Sequence, residues 1–259
     1  RGENTSEVTE VRVGEVWFAA GQSNMEAYLY KLGNAPAEMS DPPASLRLFL
    51  VEKECTAEPA ETIRGRWVKA SPKPLGLFSA VGYLFGRDLH RKLNVPVGMI
   101  QSTWGGTRVD TWMSAEALRS NPAFAERVAR GAAIDQGYKS FADFNEAMKQ
   151  WNATQQGAKP VSPCEVSSRV YNGMVRPLMP YAVRGVLWYQ GESDAWQANE
   201  YADLFPAMIN DWRSQWGQAS LPFLFVQLPN YNKRLDRQPV RSFWGEQREA
   251  QKKALRLSD

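Results

Sequence analysis

Residues 13–25 read VGEVWFAAGQSNM. The first nine are mostly apolar, include valine and aromatic side chains, and are bounded by glycines, which is typical of a buried strand in a parallel sheet. Ser23 follows in a tight turn ahead of a helical stretch. A strand that ends in glycine before a helix exposes a hydroxyl beside backbone N–H groups, which favour negative charge. The segment therefore predicts an α/β fold with a polar site at the end of its first strand.

Apolar runs and helical patterns alternate along the rest of the chain. Apolar residues recur at every fourth position from Val81 to Leu93, which predicts one buried helical stripe, and Ser79 is the expected N-cap. Predicted strands cover 46–52, 95–103, 182–191 and 222–228, and predicted helices cover 79–93, 114–132, 141–156, 201–216 and 242–257. This alternation predicts βαβ units, a central parallel sheet with helices on both faces, and one domain over residues 1–259.

Composition excludes several classes of protein. The chain has 259 residues, 43% of them hydrophobic, and a net charge of +3 with no basic cluster, so it is globular and a poor candidate for nucleic-acid binding. It has no apolar run near the roughly 18 residues that a membrane span needs, and no membrane partner is expected. Cys55 and Cys164 lie 109 positions apart, which fits no metal-site spacing, so pairing and free thiols both stay open.

Three unusual turns each follow a predicted strand directly. The first is Gly21 to Met25, the second is Ser102 to Thr107, and the third is Trp188 to Asp194. Strand ends of this kind meet at one edge of a parallel sheet, where functional groups gather. In the second turn, paired glycines allow a backbone N–H to approach an oxyanion closely. In the third, Gln190 offers an amide N–H, and Glu192 offers a carboxylate that anchors the loop or orients a base.

Each turn also has an ordinary explanation when it is taken alone. Ser23 would be a helix N-cap, the glycine pair a simple turn, and the third segment a polar strand end. A phosphate-binding loop is a weak alternative because no Gly-Lys-Ser or Gly-Lys-Thr follows. The three turns together favour the functional interpretation, since they are expected to converge on one edge.

These motifs resemble a known family. GQSNM, WGGT and WYQGES, in that order, are similar to the SGNH-hydrolase superfamily, in the branch of sialate O-acetylesterases and related carbohydrate acetylesterases. The segments at 171–180, 222–228 and 248–255 also resemble that branch. The resemblance implies a three-layer α/β/α sandwich of flavodoxin-like type, and a serine esterase that removes O-acetyl groups from a carbohydrate, O-acetylated sialic acid first. It implies no metal and no organic cofactor.

The resemblance also implies roles for individual residues. Ser23 would attack the acetyl carbonyl and form an acyl-enzyme, while the N–H groups of Ser23 and Gly106 and the side chain of Gln190 would hold the oxyanion. Gln190 replaces the asparagine that is more common in the superfamily, and Glu192 would support the loop. The candidate substrate-binding residues are Asn24, Trp104 and Asn172.

The sequence lacks a well-placed base for Ser23. Its single histidine, His90, falls near the end of the 79–93 helix, so it is expected at the opposite edge of the sheet as a solvated or helix-capping residue. The resembled family carries its base in an Asp-x-x-His motif after one more strand. We therefore expect the sequence to be truncated at Asp259, ahead of that motif. The polar lead-in before Val13 is the expected remnant of a β-rich region.

Two further interpretations stay open at this stage. The rival to an esterase is a non-catalytic carbohydrate-binding protein on the same scaffold, with Trp104 and Trp112 as the nearest sugar-stacking side chains. Within the esterase interpretation, acetylated xylan is the alternative to sialic acid. Relatives that process glycans are often exported, so a periplasmic, secreted or lysosomal location is expected.

Overall fold

The computed structural model describes residue 7 and residues 9–179, 181–231 and 242–257. Most of the polar lead-in, Pro180 and Asp259 lie outside the described residues. One six-stranded sheet is formed by β1 (Glu15–Gly21), β2 (Leu46–Leu50), β3 (Trp67–Lys69), β4 (Val97–Thr103), β5 (Gly185–Tyr189) and β6 (Phe223–Phe225). The α-helices of the described residues are α1 (Ser23–Glu26), α2 (Ala35–Ser40), α3 (Pro72–Gly76), α4 (Ala80–Leu93), α5 (Ala115–Ser120), α6 (Ala125–Ala133), α7 (Phe141–Thr154), α8 (Arg169–Met174), α9 (Ala198–Gln215) and α10 (Phe243–Lys252).

The sheet has the strand order β3-β2-β4-β1-β5-β6. The five predicted strands are all present and pair in parallel with their neighbours. The sixth, β3, was not predicted and runs antiparallel to β2 at the edge. The predicted central parallel sheet is therefore confirmed, with one antiparallel strand added at its edge, a common arrangement in α/β proteins.

Helices cover both faces of the sheet, which confirms the three-layer sandwich. Side chains of β1 alternate between two cores because successive residues of a strand point to opposite faces. Phe18 packs against Trp212 of α9, with ring centroids 5.5 Å apart. Its neighbour Trp17 lies in the other core, together with Tyr83 of α4.

Helix α4 begins as predicted but packs differently. The Ser79 hydroxyl accepts a hydrogen bond from the Gly82 N–H at 3.0 Å, which confirms the N-cap. Of the predicted apolar stripe, Val81, Phe85 and Leu89 are partly buried against the core, whereas Leu93 is 50% exposed. Tyr83 and the small residues beside it are the buried ones, so the helix lies close to the sheet.

The predicted helix over 114–132 is two helices, α5 and α6. Pro122 lacks a backbone N–H and disfavours helical geometry at the residue before it, so α5 ends at Ser120. Asn121 instead caps a short 3₁₀ turn by accepting from the Ala123 N–H at 3.0 Å. The break turns α6 toward the polar edge of the sheet, where it contributes Arg127 to the interior.

The other predicted elements are present with shifted bounds. The 182–191 and 222–228 strands shorten to β5 and β6, and the helix predicted to begin at 201 begins at Ala198. The helix predicted over 242–257 ends at Lys252 and continues as a 3₁₀ turn over Lys253–Arg256.

A disulfide joins Cys55 and Cys164 and settles the pairing that the sequence left open. It ties the segment after β2 to the 3₁₀ turn at Pro163–Glu165. Both cysteines are buried.

Candidate active site

The three turns leave the sheet at the same level. Gly21, the last residue of β1, lies opposite Thr103 of β4 on one side and Tyr189 of β5 on the other. Because the three strands are parallel and adjacent, the turns that follow them share one edge. The predicted convergence of the three motifs is therefore confirmed at the level of strand register.

Ser23 is the first residue of α1 and its side chain is exposed. Among the described residues no hydrogen bond to its hydroxyl is present. The turn before it depends on Gly21, which has a φ of +141° and whose position would place a Cβ 2.1 Å from the Tyr189 carbonyl oxygen. The chain thus presents the hydroxyl at a helix N-terminus, where N–H groups point outward.

Side chains on both sides of Ser23 bind the neighbouring turns. The side-chain Oε1 of Gln22 accepts from the backbone N–H groups of Gly191 at 3.3 Å and Ser193 at 3.2 Å. The Asn24 amide donates to Glu192 Oε1 at 2.5 Å. These contacts fix the first turn against the third.

Glu26 fixes the first turn against the second. Its Oε2 accepts from the Gly105 N–H at 2.8 Å, and its Oε1 accepts from Lys53 Nζ at 2.6 Å. A Cβ at Gly105 would lie 3.3 Å from the Cβ of Ser23, so the two turns are in close approach.

Gly106, whose N–H is predicted to bind the oxyanion, is the next residue after Gly105. It is exposed, has a φ of +83°, and has open space where a Cβ would stand. Within the described residues no acceptor binds its N–H, in contrast to the N–H of Gly105. That arrangement leaves a backbone donor for a ligand beside Ser23.

Gln190, the third predicted oxyanion residue, is fully buried. Its Nε2 donates to Asp194 Oδ2 at 2.6 Å and to the Thr107 carbonyl at 3.1 Å, while its Oε1 has no partner among the described residues. Both amide hydrogens are engaged, so Gln190 would have to release one to reach an oxyanion. Its catalytic role stays a prediction, and the structure shows it as a link between the second and third turns.

A buried ion network lies behind that link. Arg127 donates from Nε to Asp110 Oδ1 at 2.8 Å and from its second terminal nitrogen to Asp194. Burial lowers the pKa of Arg127, but the carboxylates of Asp194 and Asp110 outweigh it and raise the pKa above its usual value. Asp194 also accepts from the Val109 N–H at 3.0 Å, so one charged cluster supports two of the three turns.

The buried carboxyl group of Glu192 has less charge compensation than that of Asp194, which pairs with Arg127. Burial raises the pKa of its carboxyl above the ordinary 4.5, and the hydrogen bond from Asn24 opposes that shift only in part. Its Oε2 is buried without a partner in the described structure. Glu192 joins the first and third turns through Asn24, while its predicted loop-supporting role in catalysis stays a prediction.

Two of the remaining predicted residues lie in different surroundings. Trp104 is half-buried, with its ring edge-on to Phe141 at 4.7 Å and Lys53 Nζ 5.6 Å from its centroid. Asn172 is buried in α8 and donates to the carbonyls of Thr56 and Ala57 rather than toward the three turns. Substrate contact by either residue stays a prediction.

The structure also places Trp112 and His90, the other two residues discussed from the sequence. Trp112 is fully buried and donates to Thr107 Oγ1 at 2.9 Å, so its suggested use as a sugar-stacking surface is wrong. His90 Nδ1 lies 2.7 Å from the Val95 carbonyl oxygen, just ahead of β4. Since β4 is about 20 Å long, His90 lies at the edge of the sheet opposite Ser23, as its sequence position predicts.

Several residues of the site were missed from the sequence. Gln22 and Glu26 flank the predicted nucleophile, and Asp194 ends the third motif, so proximity to the motifs was the available signal. Arg127 had no such signal, because it lies in an amphipathic helix where an arginine is usually solvated.

The described residues contain neither a candidate metal site nor a membrane-spanning helix. No group of three or more histidine, cysteine, aspartate or glutamate side chains in that part of the chain could hold a metal ion. No helix there is both long and apolar enough to cross a membrane.

Known proteins are similar to this chain in sequence. Residues 121–258, 138 of the 259 residues, match the model of a family described as carbohydrate esterase, sialic acid-specific acetylesterase. The chain is 33% identical over 254 residues to a sialate O-acetylesterase of Rattus norvegicus and 32% identical over 246 residues to one of Mus musculus. Each alignment covers 88% of this chain and 45% of the relative.

A solved structure is also similar. The fold matches a carbohydrate acetylesterase from Xanthomonas citri with a TM-score of 0.74 and 34% identity, over 94% of this chain and 48% of that one. The chain thus spans about half the length of the relatives that it matches.

Proposed function

The chain belongs to the family of sialic acid-specific carbohydrate acetylesterases, and on that premise we propose that it hydrolyses O-acetyl esters of sialic acid with Ser23 as nucleophile. The family resemblance inferred from the three motifs is confirmed by this match. The observation that carries the residue assignment is the common level of Gly21, Thr103 and Tyr189, which brings the three turns to one edge. The names of the rodent relatives support sialic acid as the substrate.

The proposed reaction has two steps. Ser23 Oγ attacks the acetyl carbonyl carbon, its proton passes to a base, and the sugar oxygen leaves as a protonated hydroxyl. Water then attacks the acetyl-serine, releases acetate and restores the hydroxyl. His90 is not this base, because it lies at the other edge of the sheet.

Backbone donors account for stabilisation of the oxyanion. The Ser23 N–H belongs to the first turn of α1, where helix N–H groups lack partners within the helix. The Gly106 N–H has no acceptor among the residues that the structure describes. Removal of one such donor typically costs about 3–4 kcal/mol in the activation barrier. In the proposed mechanism Gln190 first holds Thr107 and Asp194 in place and donates to the oxyanion only if one of those bonds is released.

The disulfide supports an exported protein. Cys55 and Cys164 are joined within the fold, and such bonds persist mainly in oxidising compartments. We propose a periplasmic, secreted or lysosomal location on this ground.

Hydrolysis of an aryl acetate tests the assignment. The protein extended beyond residue 259 is compared with its Ser23→Ala variant, and Ser120→Ala, an exposed serine at the end of α5, is the matched control. We expect kcat to fall at least about 1,000-fold for Ser23→Ala and to be unchanged for the control. Equal rates in all three proteins would refute the esterase, and sugar binding without any turnover would favour the carbohydrate-binding alternative.

Acetylated xylan is the second candidate substrate. The similar Xanthomonas protein is a carbohydrate acetylesterase for which no particular sugar is named. A neutral acetylated glycan is therefore compared with sialic acid. Initial rates on O-acetylated sialic acid and on acetylated xylo-oligosaccharides separate the two. Faster release of acetate from the xylo-oligosaccharide would overturn the sialic acid assignment and leave the esterase intact.

A further inference from the structure

A groove of about 630 Å³ opens beside the first turn of the site. Glu26 and Thr103 line its inner end, and Tyr28, Lys53, Arg66 and Phe78 are among the residues along it. Glu26 is three residues from Ser23, and Thr103 lies opposite Gly21 in the sheet. The groove therefore borders the segment that carries Ser23 and also reaches the β2–β3 side of the sheet.

Arg66 stands at the far side of this groove. It directly precedes β3, whose first residue, Trp67, pairs with Phe49 near the end of β2. Strands β1 and β3 are separated by β4 and β2, so three strand spacings, about 14 Å in total, lie between them. A long arginine side chain reaches back over part of that span.

Most charges of the groove are paired. Lys53 binds Glu26 at 2.6 Å, and Glu52, on the outer side, lies 3.5 Å from Arg64. Arg66 differs from them, because in the described structure its guanidinium has neither an ion pair nor a hydrogen bond. The groove thus contains an exposed cation without an anion, at a distance from the nucleophile.

We propose that Arg66 binds the carboxylate of the acidic sugar while the acetyl ester lies at Ser23. Sialic acid carries its carboxylate at one end and its glycerol side chain, a site of O-acetylation, at the other. A groove that borders the nucleophile segment and also contains an unpaired cation offers a contact for each of these two groups. A guanidinium binds a carboxylate through two parallel hydrogen bonds, which favours an arginine in this position. Tyr28 and the exposed Leu77 supply apolar surface for the sugar ring in the same groove.

This inference rests on the proposed function, because Ser23 sets where the ester lies. It makes Arg66 a specificity-determining residue, which selects acidic over neutral acetylated sugars. A neutral acetylated glycan would leave the cation unpartnered and would gain nothing from it.

Binding measured by calorimetry tests the proposal. The ligands are the methyl glycoside of N-acetylneuraminic acid and its carboxamide, which is similar in shape but carries no charge and no ester. We expect the unmodified chain to bind the acid about tenfold more tightly than the amide, the size of one charge-assisted hydrogen-bonded pair. Arg66→Gln should remove that preference, Arg66→Lys should retain part of it, and Arg64→Gln should leave it intact.

Three outcomes would overturn the proposal: equal binding of acid and amide by the unmodified chain, a preserved preference in Arg66→Gln, or no binding of the acid. The aryl acetate assay with Ser23→Ala reports separately on the esterase. Ser23-dependent hydrolysis without acid preference would reject the Arg66 site alone. Acid preference without Ser23-dependent hydrolysis would reject the proposed reaction and keep the binding site.

Discussion

Arg127 and Asp194 form an ion pair in the interior of the protein, with 2% and 1% of their side chains exposed. A second carboxylate, Asp110, binds the same guanidinium. Two buried carboxylates therefore share this cation, although Asp110 also lies 3.4 Å from Arg108 Nε. Both carboxylates belong to segments next to the proposed site. Breaking a buried pair from one side is costly because it leaves an uncompensated charge in the interior.

Replacement of Arg127 by glutamine should destabilise the protein strongly. We expect the free energy of unfolding to fall by about 3–5 kcal/mol, measured by urea denaturation. Arg130→Gln is the matched control in the same helix. Arg130 pairs with Glu126 and Glu200 at a partly exposed position, so its loss should cost less than about 1 kcal/mol. Similar losses in the two variants would contradict the importance of the buried network.

Glu192 should make stability depend on pH. Burial raises the pKa of its carboxyl in the folded state above 4.5, so the folded protein holds this proton more tightly than the unfolded chain does. Stability from this group is therefore lost as pH rises from about 4.5 through the raised folded pKa. Glu192→Gln cannot titrate and still accepts from Asn24.

The comparison is made by urea unfolding at several pH values between 4 and 8. Glu192→Gln should gain stability relative to the unmodified chain as pH rises through that window. Glu249→Gln, an exposed residue of α10 beside Lys252, serves as the control and should show no such gain. A difference between Glu192→Gln and the parent that stays constant with pH would reject the assignment.

Gly21→Ala should damage the turn that presents Ser23. An added Cβ would lie 2.1 Å from the Tyr189 carbonyl oxygen, and the φ of +141° is strained for any L side chain. We expect a loss of at least about 3 kcal/mol in the free energy of unfolding, with a lower melting temperature. Gly33→Ala, where nothing lies within 4 Å of the new methyl group, should be nearly neutral. An unchanged melting temperature for Gly21→Ala would show that the turn adapts.

Loss of the disulfide should lower stability without affecting the strand register. The double variant Cys55→Ser and Cys164→Ser opens a loop of 109 residues, for which we expect a cost of about 2–5 kcal/mol. A thiol reductant should destabilise the unmodified chain by a similar amount and leave the double variant unaffected. Equal denaturation midpoints for the parent and the double variant would show that the crosslink contributes little.

Sequence patterns predicted the fold well where elements are long and buried. Residues 16–21 are apolar throughout because β1 lies in the middle of the sheet, and a short apolar run bounded by glycines is typical of a buried strand. Strand β3 has only three residues, Trp67–Lys69, and lies at the edge with much of its surface exposed. Such a strand is defined by its pairing with β2, and that pairing has no local signature.

Two other differences have the same kind of cause. The apolar periodicity over 114–132 continues across Asn121–Pro122 and therefore predicts one helix. Pro122 nevertheless ends that helix, because it lacks a backbone N–H. In α4 the buried face is made by small residues beside Tyr83, which a search for large apolar side chains overlooks.

The residues of the site also differ in how well the sequence predicts their positions. Ser23, Gly106 and Gln190 follow strand ends directly, so topology alone places them on one edge. Arg127 meets Asp110 and Asp194 from 17 and 67 positions away. Contacts of that range depend on how α6 packs, as does the pairing of Cys55 with Cys164, and neither follows from local patterns.

The nucleophile segment holds the three turns together through the contacts of Gln22, Asn24 and Glu26, in addition to presenting the Ser23 hydroxyl. Each of these side chains meets a partner in another turn, at Gly191, Glu192 or Gly105. A transplant of the GQSNME hexapeptide alone into an unrelated sheet would therefore bring the serine without its geometry. Transfer of the site to another protein would therefore require all three turns together.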